Sequence, residues 1–122
     1  MTRRIHRFGD VEWHLPVSRG VDPGPALAVG GPGRKLLAQG EGGFYAQIVK
    51  IPPLFDAPVH SHDHAEIFMV LEGSCSFDGE PMVRYDMTVV AANEPYGFVA
   101  GSDGLQFLVV RTGAASFAAA SS

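Results

Sequence analysis

The sequence predicts an all-β domain, a small barrel or two-sheet sandwich, on three observations. Its apolar runs are short, and none approaches the length of a long helix. Glycine and proline are frequent, 15 and 9 in 122 residues, and they recur between those runs. Asp78-Gly79 stands between two strand-like segments, as a tight hairpin turn prefers. Hydrophobic residues make up 46% of the chain and charged residues 18%, ordinary usage for one globular domain with its own core.

Taken in order, residues 1–34 read as an N-terminal extension and a Gly/Pro-rich loop packing on the barrel. Phe8, Trp13 and Leu15 are its candidates for that packing, and residues 21–33 form a connector, lid or dimer arm. Residues 35–112 hold the barrel. Strands are expected at Lys35–Gln39, Phe44–Ile51, Ala65–Leu71, Ser74–Phe77, Met82–Arg84, Met87–Ala91, Tyr96–Ala100 and Leu105–Arg111. Gly42-Gly43, Pro52-Pro53, Asp78-Gly79, Asn93-Glu94-Pro95 and Asp103-Gly104 separate them. Residues 113–122 are small and low in complexity, a flexible tail that Phe117 could anchor.

In Glu66–Leu71, residues alternate between two faces, and both faces are apolar apart from Glu66. A strand apolar on both sides is covered on both sides. The expectation is a homodimer, with a second sheet of the same chain as the alternative.

Charge and composition exclude several functions. A net charge of −4 argues against a nucleic-acid surface, and Arg3, Arg4 and Arg7 read as a solvated terminus. No apolar run approaches the ~20 residues of a membrane span, and no apolar segment follows the arginine pair. Cys75 is the lone cysteine, so no intrachain disulfide forms; a buried, unreactive thiol and a cytoplasmic location are expected.

The chemistry concentrates in one segment. His60, His62 and His64 lie on alternate positions, and Glu66 follows. Alternate residues of a strand share a face roughly 6.5–7 Å apart. Two such imidazoles can converge on an ion at bonds of about 2.0–2.1 Å, and a carboxylate supplies a third ligand. Nitrogen and carboxylate donors suit one divalent ion per chain, Fe, Mn, Ni or Zn. A solvated, inert histidine cluster is the bland alternative. Glu66 weighs against it, because a carboxylate on a face shared with Phe68 and Val70 is costly unless paired or bound to a cation.

PVHSHDHAEIFMVLEG, residues 58–73, resembles the first motif of the cupins: His-x-His, three residues, Glu, six residues, Gly, on His60, His62, Glu66 and Gly73. YDMTVVAANEPYGF, residues 85–98, is similar to the second motif, and the likeness spans residues 43–111. The resemblance implies a double-stranded β-helix (jelly-roll) barrel with His60, His62 and Glu66 as metal ligands. It also implies dioxygenase, isomerase, lyase or cyclase activity on a small molecule. Two departures stand out. Tyr96 occupies the place of the second motif's histidine, and Tyr85 that of its turn glycine, which is tolerable if φ there stays negative. Tyr96 can ligate as a phenolate, act as an acid–base or hydrogen-bonding group, or mark a site that holds no metal firmly. His64 is a spare ligand or a proton shuttle.

Gln47, Phe68, Phe98 and Phe107 are candidates to line a substrate pocket, with ordinary core as the alternative for the three phenylalanines. Arg84 and Arg111 could meet an anionic substrate, though surface ion pairs are the expected fate of each. Two functions follow: a metal-dependent cupin enzyme, dioxygenase-like or isomerase-like, acting on a small organic and possibly aromatic substrate, or a non-catalytic cupin that binds or senses a small ligand.

Overall fold

A computed structural model describes residues 3–14, 33–114 and 118–119. Leu15, Phe117 and nearly all of the 21–33 loop lie outside the described residues. Eight strands follow in order: β1 Gly33–Gln39, β2 Tyr45–Ile51, β3 Asp56–Ser61, β4 Glu66–Phe77, β5 Glu80–Val83, β6 Met87–Val90, β7 Tyr96–Arg111 and β8 Ala118–Ala119.

Two long strands organise the barrel. β4 and β7 pair antiparallel from Glu66↔Arg111 to Phe77↔Phe98, and the ladder bends midway. At one end it carries β6 beside β4 and β2 and β1 beside β7. At the other it carries β5 beside β4 and β3 and β8 beside β7. The result is a jelly roll of two sheets that share their central strands, as predicted. Sheets that run into one another through bent strands also reduce the exposed edge.

The bend has a local cause. The register slips between Val70 and Glu72 and again between Gly73 and Cys75. Glu66, Phe68 and Val70 point inward before the slips, Cys75 and Phe77 after them. On β7 the buried set likewise changes from Tyr96, Phe98 and Ala100 to Leu105, Phe107, Val109 and Arg111. Bulges of this kind let one strand serve two sheets. Gly73 sits at the bend with φ 75°, and a Cβ there would strike the Gly104 carbonyl, which explains why the motif ends in glycine.

Several expectations need correcting. Ala65–Leu71 and Ser74–Phe77 are one strand, as are Tyr96–Ala100 and Leu105–Arg111, because turn-like residues between them form bulges rather than reversals. β3 was not expected; Pro58 hides it, sitting where the pairing with β7 is interrupted between Ala57 and His60. Tyr85 adopts φ 73°, so its turn kept the left-handed geometry despite losing the glycine, and the Arg84 guanidinium lies 4.7 Å over its ring. Ala118 and Ala119 pair with Ser61 and His60 as a short strand.

The N-terminal segment packs on β1. Phe8 and Trp13 meet edge to face at 6.0 Å, and Lys35 Nζ lies 3.6 Å from the Phe8 ring centroid while donating to the Phe8 carbonyl at 2.6 Å. That pairing accounts for a buried lysine. His14 bridges Arg34 and extends the sheet edge. The outer face of β4 and β6 has no such cover among the described residues: Ile67 is 38% exposed, Met87 46% and Val89 63%.

Candidate active site

Antiparallel pairing of β4 with β7 sets Arg111 directly opposite Glu66, and pairing of β3 with β7 sets His60 opposite Tyr96. These positions, with His62, converge at one end of the barrel interior. Glu66 is 2% exposed. Arg111 Nε donates to Glu66 Oε2 at 2.8 Å, and Arg111 Nη2 donates to His62 Nε2 at 3.2 Å. His60 lies with its ring centroid 4.5 Å from Tyr96 and 5.0 Å from His62.

Hydrogen bonding decides the tautomers. A guanidinium only donates, so His62 accepts at Nε2 and carries its proton on Nδ1. His60 Nδ1 lies 2.7 Å from the Pro58 carbonyl, which only accepts; Nδ1 therefore bears the proton and Nε2 the lone pair. Tyr96 is buried, and its hydroxyl is held well above the ordinary phenol range. Burial is the main cause; the Glu66 carboxylate adds to it, and Arg111 partly opposes it. Tyr96 is thus a neutral phenol and a hydrogen-bond donor. A phenolate ligand would have to overcome all of this.

The expected metal set is present in sequence but otherwise engaged in space. Among the described residues no group of three or more His, Cys, Asp and Glu side chains is placed to hold an ion. Arg111 explains why: its guanidinium spans Glu66 and His62, two of the three expected ligands. A divalent ion ~4 Å from that guanidinium would be repelled by on the order of 8 kcal/mol at an effective dielectric of about 20. As arranged, these residues do not fit a metal. From the sequence, the counter-charge of Glu66 is expected to be a metal ion; in the structure Arg111 pairs with it. Arg111 was expected on the surface and is buried; its pairing partner was readable only from the β4–β7 register. Glu66 Oε1 remains buried without a hydrogen bond, so the carboxylate is only half satisfied.

The remaining candidates fall in different places. His64 stands apart, its ring against Gly113 and its Nε2 3.7 Å from Asp63. Phe68, Phe98 and Phe107 are core, not pocket wall: Phe68 stacks on Phe107 at 4.4 Å, and Phe98 meets Phe107 edge-on at 5.4 Å. The aromatic wall belongs instead to Phe77 and Tyr96, stacked at 5.2 Å. Both face a cleft of about 440 Å³, which Met82, Thr88, Val90 and Glu94 also line. Gln47 lines a second cavity, of about 240 Å³, which Arg111 also lines. Of the polar cluster, Tyr96 thus borders one cavity and Arg111 another.

No protein-family model matches the chain, and no curated protein matches it. Solved structures do. The polyketide cyclase RemF from Streptomyces resistomycificus superimposes with a TM-score of 0.76 at 22% identity, over 100% of this chain and 87% of that one. An RmlC-like cupin from Shewanella frigidimarina gives 0.69 at 18%, over 90% of each chain. A protein from Methylibium petroleiphilum, provisionally named an acetylacetone dioxygenase, gives 0.71 at 17%, over 96% of this chain and 81% of that one. At such identities the likeness is one of fold. The chain is a small cupin-fold domain, and no helix among its described residues is long and apolar enough to cross a membrane.

Proposed function

We propose that this cupin domain is an enzyme that moves a proton on a small, oxygenated, enolisable organic molecule, an isomerase, cyclase or lyase by reaction type. One observation carries the reading: a base, an acid and a fixed cation meet in one cluster, His60 beside Tyr96, with Tyr96 bordering one cavity and Arg111 another. His60, oriented by the hydrogen bond between its Nδ1 and the Pro58 carbonyl, is the proposed proton acceptor. Tyr96 stays protonated and can donate to a carbonyl oxygen. Arg111 supplies a permanent positive charge in a dry site, where charge developing on that oxygen is stabilised most. In the proposed step, a C–H beside the carbonyl gives its proton to His60 Nε2. The electron pair moves to oxygen against Tyr96 and Arg111, and reprotonation at another carbon completes the reaction. The names polyketide cyclase and acetylacetone dioxygenase, borne by two similar structures, both concern carbonyl-rich compounds, which supports the substrate class.

Incubation in D₂O with a panel of aromatic ketones and 1,3-dicarbonyl compounds tests this by NMR. Exchange above the buffer rate, lost by about 10²-fold or more in His60→Gln, is expected for general base catalysis. Exchange at the buffer rate across the panel would sink the proposal. Tight binding with no exchange would instead favour a ligand-binding or sensing cupin, the reading that the loss of the second-motif histidine suggests.

A dioxygenase reading, with one Fe, Mn, Ni or Zn ion on His60, His62 and Glu66, requires Arg111 to withdraw from Glu66 and His62 first. The exposed apolar face of Ile67, Met87 and Val89 supports a homodimer, tested by sedimentation at micromolar concentration, where a monomer would refute it. A cytoplasmic location rests on the lone, buried, reduced Cys75.

A further inference from the structure

The 240 Å³ cavity is bounded by Arg34, Leu36, Tyr45, Gln47 and Arg111. Strand register puts them there. Leu36 pairs with Gln47, Tyr45 pairs with Arg111, and Arg34 pairs with Val49, which itself pairs with the buried Phe107. All five therefore belong to the inner face of the sheet.

Two guanidinium groups share this small space, and among the described residues only one has a counter-charge. Arg111 is neutralised by Glu66. Among the described residues no carboxylate pairs with Arg34, and its Nε is buried with no hydrogen-bond partner. A buried donor without an acceptor is destabilising, the more so on a charged group. Among the described residues, two cations against one carboxylate leave one positive charge in excess at the cavity. A single anionic, planar acceptor would cancel that charge and satisfy the Arg34 Nε–H.

We infer that Arg34, aided by the Gln47 side chain and Arg111, binds a carboxylate carried by the substrate. The guanidinium fork matches a carboxylate in bidentate geometry, and a net excess of one charge suits a monoanion. The substrate class narrows accordingly to a small carboxylic acid. This inference rests on the reading that the barrel holds a small organic molecule.

Isothermal titration of the full chain with benzoate and with benzamide, its neutral counterpart, tests it. Wild type should bind benzoate at least about tenfold more tightly than benzamide, as a charge-assisted pair in a partly dry site predicts. Arg34→Met should abolish the preference, and Gln47→Leu should weaken benzoate a few-fold. Equal binding of the two probes by wild type would overturn the proposal, as would a preference surviving Arg34→Met. Should Arg34→Met fail to fold, Arg34→Lys keeps the charge without the fork, and benzoate should weaken at least about threefold; unchanged affinity would count against the site. The D₂O exchange measurement separates the two readings. Benzoate preference without exchange keeps the carboxylate site and discards proton transfer, whereas exchange on neutral ketones without benzoate preference does the reverse.

Discussion

The two ends of the barrel interior are built from the same two strands and yet differ completely. Midway along β4 and β7, Phe68, Phe107 and Phe98 interlock with Phe77 in a dry aromatic core. Two residues before Phe68, on the same face, Glu66 meets Arg111 in a buried ion pair flanked by His62 and Tyr96. The aromatic end gains stability from every contact. The charged end recovers, at best, the cost of taking its ions out of water. Such a cluster is poor economy for a scaffold, and it lies where cavities open. The difference teaches that stability and function are segregated along one pair of strands, with the boundary between residues 66 and 68.

Substitutions at the two ends should break the molecule in different ways. Phe68→Ala is expected to have the largest effect, a loss of about 3–5 kcal/mol from a cavity that close-packed rings cannot fill, read by urea denaturation. Divalent ions should not restore it.

Arg111→Met comes next. It leaves Glu66 buried without its counter-ion, a cost of about 3 kcal/mol or somewhat more. Here Ni²⁺ or Zn²⁺ should recover stability, since His60, His62 and Glu66 are released for coordination, and bound metal should approach one ion per chain. The Glu66→Gln/Arg111→Met double variant should be more stable than Arg111→Met and should lose the response to metal. If Arg111→Met binds no more metal than wild type, the motif residues do not form a latent metal site.

Tyr96→Phe sharpens the comparison from the chemical side. The phenyl ring keeps its stack on Phe77, so stability should change by less than about 1.5 kcal/mol, as for a single net hydrogen bond. Exchange catalysis should fall by about 10–10²-fold through loss of the donor. A variant with full activity would remove Tyr96 from the proposed mechanism.

The same boundary marks what the sequence reveals. Turn residues and apolar runs made the β-barrel legible, and the spacing of His60, His62, Glu66 and Gly73 marked a candidate site. A carboxylate on the face of Phe68 and Val70 pointed to a metal ion in the sequence, where the structure has the Arg111 guanidinium. That pairing was hidden because Arg111 is 45 residues away, and only strand register brings it opposite Glu66. Register depends on bulges, which look like turns in a sequence; the slips beside Gly73 reverse the parity on which face assignments rest. Arg34 escaped notice for a related reason. It closes the 1–34 extension, just outside the strand expected at Lys35–Gln39, and pairing with β2 turns it inward. The phenylalanines resisted assignment differently: core and pocket wall use the same residues, and only their stacking distances decide.

Cys75 offers the smallest test, on the apolar side of the boundary. Burial pushes its thiol up from an ordinary value of 9.0 to about 11. Below pH 9 the thiol is protonated in both folded and unfolded chains, and its contribution is fully present. As pH rises from about 9 to about 11, the unfolded chain ionises while the folded one resists, so stability falls through that window and then levels. Partial solvent screening reduces the effect to on the order of 1 kcal/mol. Cys75→Ala should therefore cost stability at pH 7 by truncating a packed side chain, yet decline less steeply between pH 9 and 11. The remaining alkaline loss in that variant should come from Tyr96, whose phenol is also held above its ordinary range, and should diminish in Cys75→Ala/Tyr96→Phe. Parallel pH profiles for wild type and Cys75→Ala would show that burial does not shield this thiol, and the proposed boundary would have to be redrawn.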